Sequence, residues 1–282
     1  MSVRIMIDSA SDIGQKEAEQ LGIAMVPMSI TFGETEYFDG VNLQPNEFYE
    51  KLIESNELPK TSQINAFRWS EAYEKELKEV DELVVITMSS KLSATYNSAV
   101  QASKQFENKV YVVDSLNACV GERLLCQYAI RLVESGKTAK EIADELNNVK
   151  SKINVMAVIG TMEYLKKGGR ISSAVAFAGK ILAIKPVIAV VDGKVKLIGK
   201  AMGSKNGNNL LNKMVSEKGG IDFSMPHAVL WSGLDKSMLN KYVEDSSHLW
   251  KDYTDKVPEY ILGGTIGTHI GPGAVGVAFF QK

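Results

Sequence analysis

Six glycines and one proline surround a single imidazole near the end of the chain, in Gly-Gly-Thr-Ile-Gly-Thr-His-Ile-Gly-Pro-Gly-Ala-Val-Gly over residues 263–276. Glycine lets backbone approach a ligand closely and adopt positive φ, and proline removes a donor. The run predicts a loop that offers bare N–H groups beside His269, a setting suited to a small anion. Hydroxyl-rich stretches occur in Thr61-Ser62-Gln63 and in Ser89-Ser-Lys-Leu-Ser-Ala-Thr-Tyr96. The second follows an apolar run over 83–88 and opens a predicted helix at Ser93. A helix N-terminus beyond a strand's carboxyl end supplies free N–H donors and a favourable dipole for an anion. In Lys166-Lys-Gly-Gly-Arg-Ile-Ser172, Arg170 follows two glycines, and its guanidinium suits bidentate contact with a carboxylate or phosphate. His227 and His248 read as structural. Asp8–Asp12 and Asp114-Ser115 end apolar runs and read as strand-end caps.

Other chemistries lack their signatures. There is no Walker-type phosphate loop, no Gly-x-Ser-x-Gly elbow and no metal-ligand spacing of Cys or His. Gly271-Pro-Gly-Ala-Val-Gly276 matches Gly-x-Gly-x-x-Gly in form, but only six residues follow it, too few for the helix a dinucleotide site needs. A Ser93–His269–Asp8 triad is conceivable, yet spacing alone does not support one.

The elements that must position these residues divide into two halves. Over residues 1–153, apolar runs at 4–8, 23–32, 83–88 and 110–114 alternate with helical patterns at 15–21, 45–53, 67–80, 93–106 and 117–135. Thr138 and Glu141 form a capping box for another helix. That alternation predicts a parallel sheet flanked by helices. Over residues 154–282, strands are expected at 155–159, 186–191, 194–198, 228–231, 259–262 and 275–280, with an Asp192-Gly193 hairpin turn. Helices are expected at 163–167, 208–218 and 237–250, and an amphipathic small-residue stretch at 172–183. The expectation is a two-lobed α/β protein with a mixed second lobe. The chain has 282 residues, 45% hydrophobic and 23% charged, with a formal net charge of −2. It therefore shows no global pull toward nucleic acid or anionic membrane. No apolar run is long enough to span a bilayer, and no signal peptide is read at the N-terminus. Cys119 and Cys126, two helical turns apart, are expected as buried thiols in a reducing cytoplasm.

Taken in order, Asp8-Ser-x-Ser-Asp12, Thr61-Ser-Gln63, Ser89-Ser-x-Leu-Ser-x-Thr-Tyr96, Asp114-Ser115, Leu165-Lys-Lys-Gly-Gly-Arg-Ile-Ser172, Ile184-Lys-Pro186 and Gly267-Thr-His-x-Gly-Pro-Gly-Ala274 resemble the DegV family over almost the whole chain. The resemblance implies an EDD-type fold of two lobes with a long-chain fatty acid bound between them. It also implies a non-catalytic role as the carrier subunit of a fatty-acid kinase. In that role a separate ATP-binding subunit phosphorylates the bound carboxylate to an acyl phosphate for phospholipid synthesis. By the same resemblance, Thr61, Ser93 and His269 hold the carboxylate, with Ser62 and Thr268 nearby, and Arg170 lies at its mouth and near the kinase. No metal or cofactor is implied beyond the fatty acid. Ile64, Ala94 and Met202 depart from the family pattern, which places proline, glycine and arginine there. Two other readings of the residues are a Ser93/His269 esterase or thioesterase and a kinase-independent lipid carrier or sensor. For a fatty acid, about fourteen methylenes at ~0.8 kcal/mol each would gain on the order of 11 kcal/mol, less the costs of ordering and association. The small apolar residues over 174–184 are candidates for that tail.

Overall fold

A computed structural model describes residues 1–171 and 184–282. The stretch 172–183, and with it the expected tail-binding run except Ile184, lies outside the described residues.

Two sheets dominate. The first is wholly parallel, with strands in the order Ala24–Val26, Val3–Asp8, Glu82–Thr87 and Val110–Asp114. Every residue of Glu82–Thr87 is buried, as the continuous Leu-Val-Val-Ile run requires of a strand covered on both faces. The second sheet is mixed, in the order Lys194–Met202, Ile184–Val191, Ile153–Val158, Val275–Phe280, His227–Trp231 and Glu259–Ile261. Only its last pair is parallel. Alternation divides its residues. Val155 and Ala157 face one core with Ile5 and Ile7 of the parallel sheet, while Met156 and Val158 face a second core with Leu211 and Tyr242. The protein is therefore mixed α/β, with a parallel sheet and a separate mixed sheet.

The helix Val120–Glu134 joins the sheets. Val120, Leu124, Leu125, Cys126 and Ala129 are buried in the core that both sheets share. A Cβ on Gly121 would lie 2.4 Å from Val155 Cγ2, so this close approach needs glycine. The helix starts at Val120, not at residue 117. Asn117 and Ala118 remain in the preceding turn, and Cys119, at φ 50°, donates its N–H to Ala10 O at 2.7 Å.

The extended run expected over 23–32 divides at Pro27. Proline gives no ladder donor, and the next donor, Met28 N–H, goes to Ser9 Oγ at 3.0 Å. Ser29–Phe32 instead joins Thr35–Phe38 and Lys60–Ser62 in a small antiparallel sheet. The sequence reading did not assign the last two strands. A larger correction concerns residues 263–276, expected as a bare loop: Gly264–Ile270 is a short helix. Its glycines serve packing. A Cβ on Gly264 would lie 2.5 Å from Ile30 Cδ1, and one on Gly267 would lie 2.5 Å from Phe48 Cε1.

Among the described residues, no helix is long and apolar enough to cross a membrane. No group of three or more His, Cys, Asp or Glu among them could hold a metal ion.

Candidate functional site

His269 sits in the last turn of the helix Gly264–Ile270. Two acids distant in sequence hold the other end of that helix. Asp39 accepts from Gly264 N–H and Thr265 N–H, both at 3.0 Å, and Asp12 accepts from Gly263 N–H at 2.7 Å. These are donors that a helix cannot satisfy internally. Tyr49, buried beside Phe48, donates its hydroxyl to Leu262 O at 3.0 Å and fixes the entry of the same segment. The short helix is thus set by tertiary contacts rather than by propensity, which seven residues with two glycines among them could not supply.

From this support the imidazole meets Thr61. Its Nε2 lies 3.0 Å from Thr61 Oγ1, on the strand Lys60–Ser62. Its other nitrogen, Nδ1, is buried without a hydrogen-bond partner among the described residues. Gly168 packs against that nitrogen so closely that a Cβ there would lie 2.2 Å away. Burial, and secondarily the Arg170 charge, lowers the His269 pKa from 6.5 to about 4. The ring is therefore neutral near pH 7, and the protonated imidazole that would give charge-assisted bonds is not the resting form.

A stability prediction follows. A depressed folded-state pKa means that the unfolded chain binds the extra proton first. The contribution is full above pH 6.5 and is lost as pH falls toward 4. Between pH 8 and pH 5, ligand-free wild type should lose about 2 kcal/mol more unfolding free energy than His269→Gln. Other buried acids act in both proteins and cancel in the difference. Parallel pH profiles in chemical denaturation would contradict the assignment.

Ser93 precedes the helix Thr95–Ser103, which begins two residues later than expected. Ser93 Oγ accepts from Thr95 N–H at 3.2 Å and lies 2.9 Å from Thr95 Oγ1. Thr95 Oγ1 in turn accepts from Ile64 N–H at 3.4 Å, tying the Thr61 segment to this helix. Arg170 spans the neighbouring gap, donating from Nη1 to Gly168 O at 2.7 Å and from Nε to Leu92 O at 3.3 Å.

These four side chains share one cavity of about 320 Å³, a volume typical of small-molecule sites. Thr61, Ser93, Arg170 and His269 supply its polar part. Val155, Ala157 and Ile188 of the mixed sheet, with Met28, Met88 and Leu165, supply apolar wall. Gln63, in the same motif as Thr61 but not among the expected contacts, also lines it. Its place two residues after Thr61 in the same hydroxyl-rich motif was the available signal. Ser62 is exposed and does not line the cavity. Thr268 lines an outer cleft with Thr61, Arg170 and His269, and its hydroxyl donates to Gly264 O at 2.9 Å within its own helix. Cys119 and Ala118 also line the inner cavity, although neither was expected to. Both cysteines are buried and free, and burial raises both thiol pKa values.

The strand-end acids serve the backbone. Asp8 accepts from Ala10 N–H at 2.9 Å and Met88 N–H at 2.8 Å, and burial raises its pKa to about 7. Asp114 accepts from Ser90 N–H and Leu116 N–H. No hydrogen bond joins Ser93 to His269, and Asp8 is bonded to neither.

Comparison with known proteins agrees with the fold. The family model described as "Uncharacterised protein, DegV family" matches residues 2–282. A DegV domain-containing protein of Halalkalibacterium halodurans is 32% identical, over 99% of this chain and 98% of its own. Among solved structures, a fatty-acid-binding DegV family protein from Thermus thermophilus superposes with a TM-score of 0.88, at 29% identity and full coverage of both chains. DegV of Bacillus subtilis, described as a fatty acid binding protein, gives 0.84 at 28% identity, again with full coverage of both. Matched end to end by the family model, and by a relative above 30% identity, this chain belongs to the DegV family.

Proposed function

We propose that this protein binds one long-chain fatty acid between its two lobes, residues 1–153 and 154–282, and is not itself a catalyst. Thr61, Ser93 and His269 hold the carboxylate, and the apolar wall shared by the two sheets takes the tail. The observation that carries this reading is the single cavity in which the Thr61–His269 pair meets that wall. Two hydroxyls and a neutral imidazole can each donate to a carboxylate, which is costly to bury unpartnered. The DegV relatives described as binding fatty acids support the same choice of ligand. A hydrolase reading is less well supported, because a nucleophile needs its base within hydrogen-bond reach. Here Ser93 is engaged with Thr95, and His269 with Thr61.

The test is denaturing solvent extraction of purified protein, with mass spectrometry of the extract and native-mass stoichiometry. One fatty acid per chain is expected. A protein that is empty and takes up no added acid would overturn the proposal. Replacing Thr61, Ser93 or His269 singly with Ala should weaken binding about 10-fold or more, since hydrogen bonds to a charged group contribute ~1.5–3 kcal/mol.

We further propose that the bound carboxylate is presented in the cytoplasm to a separate ATP-dependent kinase, with Arg170 at the point of contact. Arg170 lies where the cavity, the outer cleft and the surface groove beside Lys91 and Lys194 meet. Met202, 60% exposed at the end of its strand, occupies the position where the family's second cation is expected. Arg170→Ala should leave fatty-acid affinity within about twofold and lower acyl-phosphate formation in a reconstituted system at least about 10-fold, the size of a lost charged contact. Equal effects on both would place Arg170 in binding alone.

A further inference from the structure

Arg123 is a cation that the fold buries. It lies near the start of the helix Val120–Glu134 and is only 2% exposed. A buried charge is costly unless it is paired and hydrogen-bonded, and the partners of this one come from separate parts of the chain. Nη1 and Nη2 each donate to one carboxylate oxygen of Glu17, the second at 2.9 Å, and Nη2 donates as well to Asp12 O. The guanidinium carbon stands over the Tyr260 ring, 3.8 Å from its centroid, where the ring quadrupole attracts a cation. One helical turn further on, Gln127 Nε2 donates to the Tyr260 hydroxyl at 3.0 Å.

Both contacts lead to the entry of the helix that carries His269. Asp12 stands at φ 60°, ψ 18°, in the left-handed region that few residues other than glycine adopt. It donates its N–H to Ser9 O at 3.1 Å, and its carbonyl accepts from Arg123, so its backbone is held on both sides. From that backbone the Asp12 carboxylate accepts from Gly263 N–H at 2.7 Å, and Gly263 is the N-cap of Gly264–Ile270. Tyr260 lies in the edge strand Glu259–Ile261, which leads into the same cap. Arg123 therefore grips both the chain that enters the helix and the residue that holds its cap. Packed secondary elements carry displacements between sites as rigid pieces. A shift at the entry of this seven-residue helix therefore reaches the imidazole in its last turn.

We propose that Arg123 is a positioning residue for the carboxylate site: through Asp12 and Tyr260 it sets where the His269 imidazole stands against Thr61. The inference rests on the fatty-acid reading above, in which His269 contacts the carboxylate. Arginine suits this task and lysine does not. A planar fork can hold Glu17 and Asp12 at once while stacking on an aromatic ring, whereas an ammonium is a compact point charge.

The experiment compares full-length Arg123→Lys with wild type by two readouts. The first is the NMR spectrum of isotope-labelled histidine rings in delipidated protein, with His269→Gln identifying the His269 signals by their loss. His227, whose Nδ1 lies 3.0 Å from Met225 O, and His248, which is exposed, are the internal references. The second is binding of palmitic and oleic acids. Arg123→Lys should move the His269 signals by more than a linewidth and leave the references in place. It should weaken the tighter-binding acid at least about fivefold, the scale on which residues of one network couple. In a His269→Ala background it should have almost no further effect on binding. Tyr260→Leu, at a half-buried strand position, provides the same comparison if Arg123→Lys does not fold. Unmoved His269 signals, or losses that add in the His269→Ala background, would overturn the positioning role while leaving the carrier reading intact. A wild-type protein that takes up no fatty acid would instead sink the carrier reading, and the His269 signals would still decide whether Arg123 sets the imidazole.

Discussion

Gly168→Ala is expected to lower fatty-acid affinity at least about 10-fold with little loss of stability. The residue lies at φ −74°, ψ −9°, in the right-handed region that alanine adopts readily. On the unfolded side the substitution is even favourable, by ~0.4–1 kcal/mol. The added methyl, however, would fall 2.2 Å from His269 Nδ1, 3.0 Å from Cε1 and 3.1 Å from Tyr164 O. The imidazole is the part that can swing, and swinging it breaks the 3.0 Å contact with Thr61. Losing a hydrogen bond to a charged ligand group removes ~1.5–3 kcal/mol, a factor of about 10 to 150 in affinity. A double-mutant cycle isolates the cause, since contacting residues are the ones that fail to add. In a His269→Ala background, Gly168→Ala should have almost no further effect on binding. Additive losses would show that Gly168 acts elsewhere.

The second large effect is expected at Asp39. Its side chain is buried and accepts from two helix N–H groups, Gly264 and Thr265. Asp39→Ala leaves both donors unsatisfied at a buried helix end. Each orphan costs ~1–3 kcal/mol, so about 2–6 kcal/mol of unfolding free energy should be lost. Asp39→Asn retains one acceptor oxygen and should recover part of that loss. Because His269 lies at the other end of the same seven-residue helix, Asp39→Ala should also weaken fatty-acid binding in the fraction that remains folded. Chemical denaturation in parallel with binding reads both quantities. A stability change under about 0.5 kcal/mol, the usual size for an exposed surface substitution, would show that the helix does not depend on Asp39.

Much of the architecture was legible from local patterns. The Leu-Val-Val-Ile run predicted a doubly covered parallel strand, and Thr138 with Glu141 forms the expected capping box. The Asp192-Gly193 turn joins the two strands expected on either side of it. These features rest on short-range physics, namely burial on both faces, reciprocal capping and positive φ at a tight turn. Where the reading missed, a distant partner decided. Residues 263–276 look like a loop because glycine disfavours helix. They are helical over Gly264–Ile270 because Asp39 caps them from far away in sequence, and because Ile30 and Phe48 leave no room for side chains. The strands at Thr35–Phe38 and Lys60–Ser62 are too short and polar to stand out, and they exist only by pairing with Ser29–Phe32.

The candidate site divides in the same way. By itself the sequence determined which chemistry was on offer: hydroxyls at 61 and 93, one imidazole in a glycine-rich setting and one guanidinium beside paired glycines. Only the tertiary structure decided that Thr61 and His269, 208 positions apart, lie 3.0 Å from each other. It also turned Ser62 outward and bound the Thr268 hydroxyl to its own helix. Residue types and local spacing reveal what groups can do. Which groups meet depends on long-range packing and on where buried polar atoms find partners, and those are properties of the folded chain as a whole.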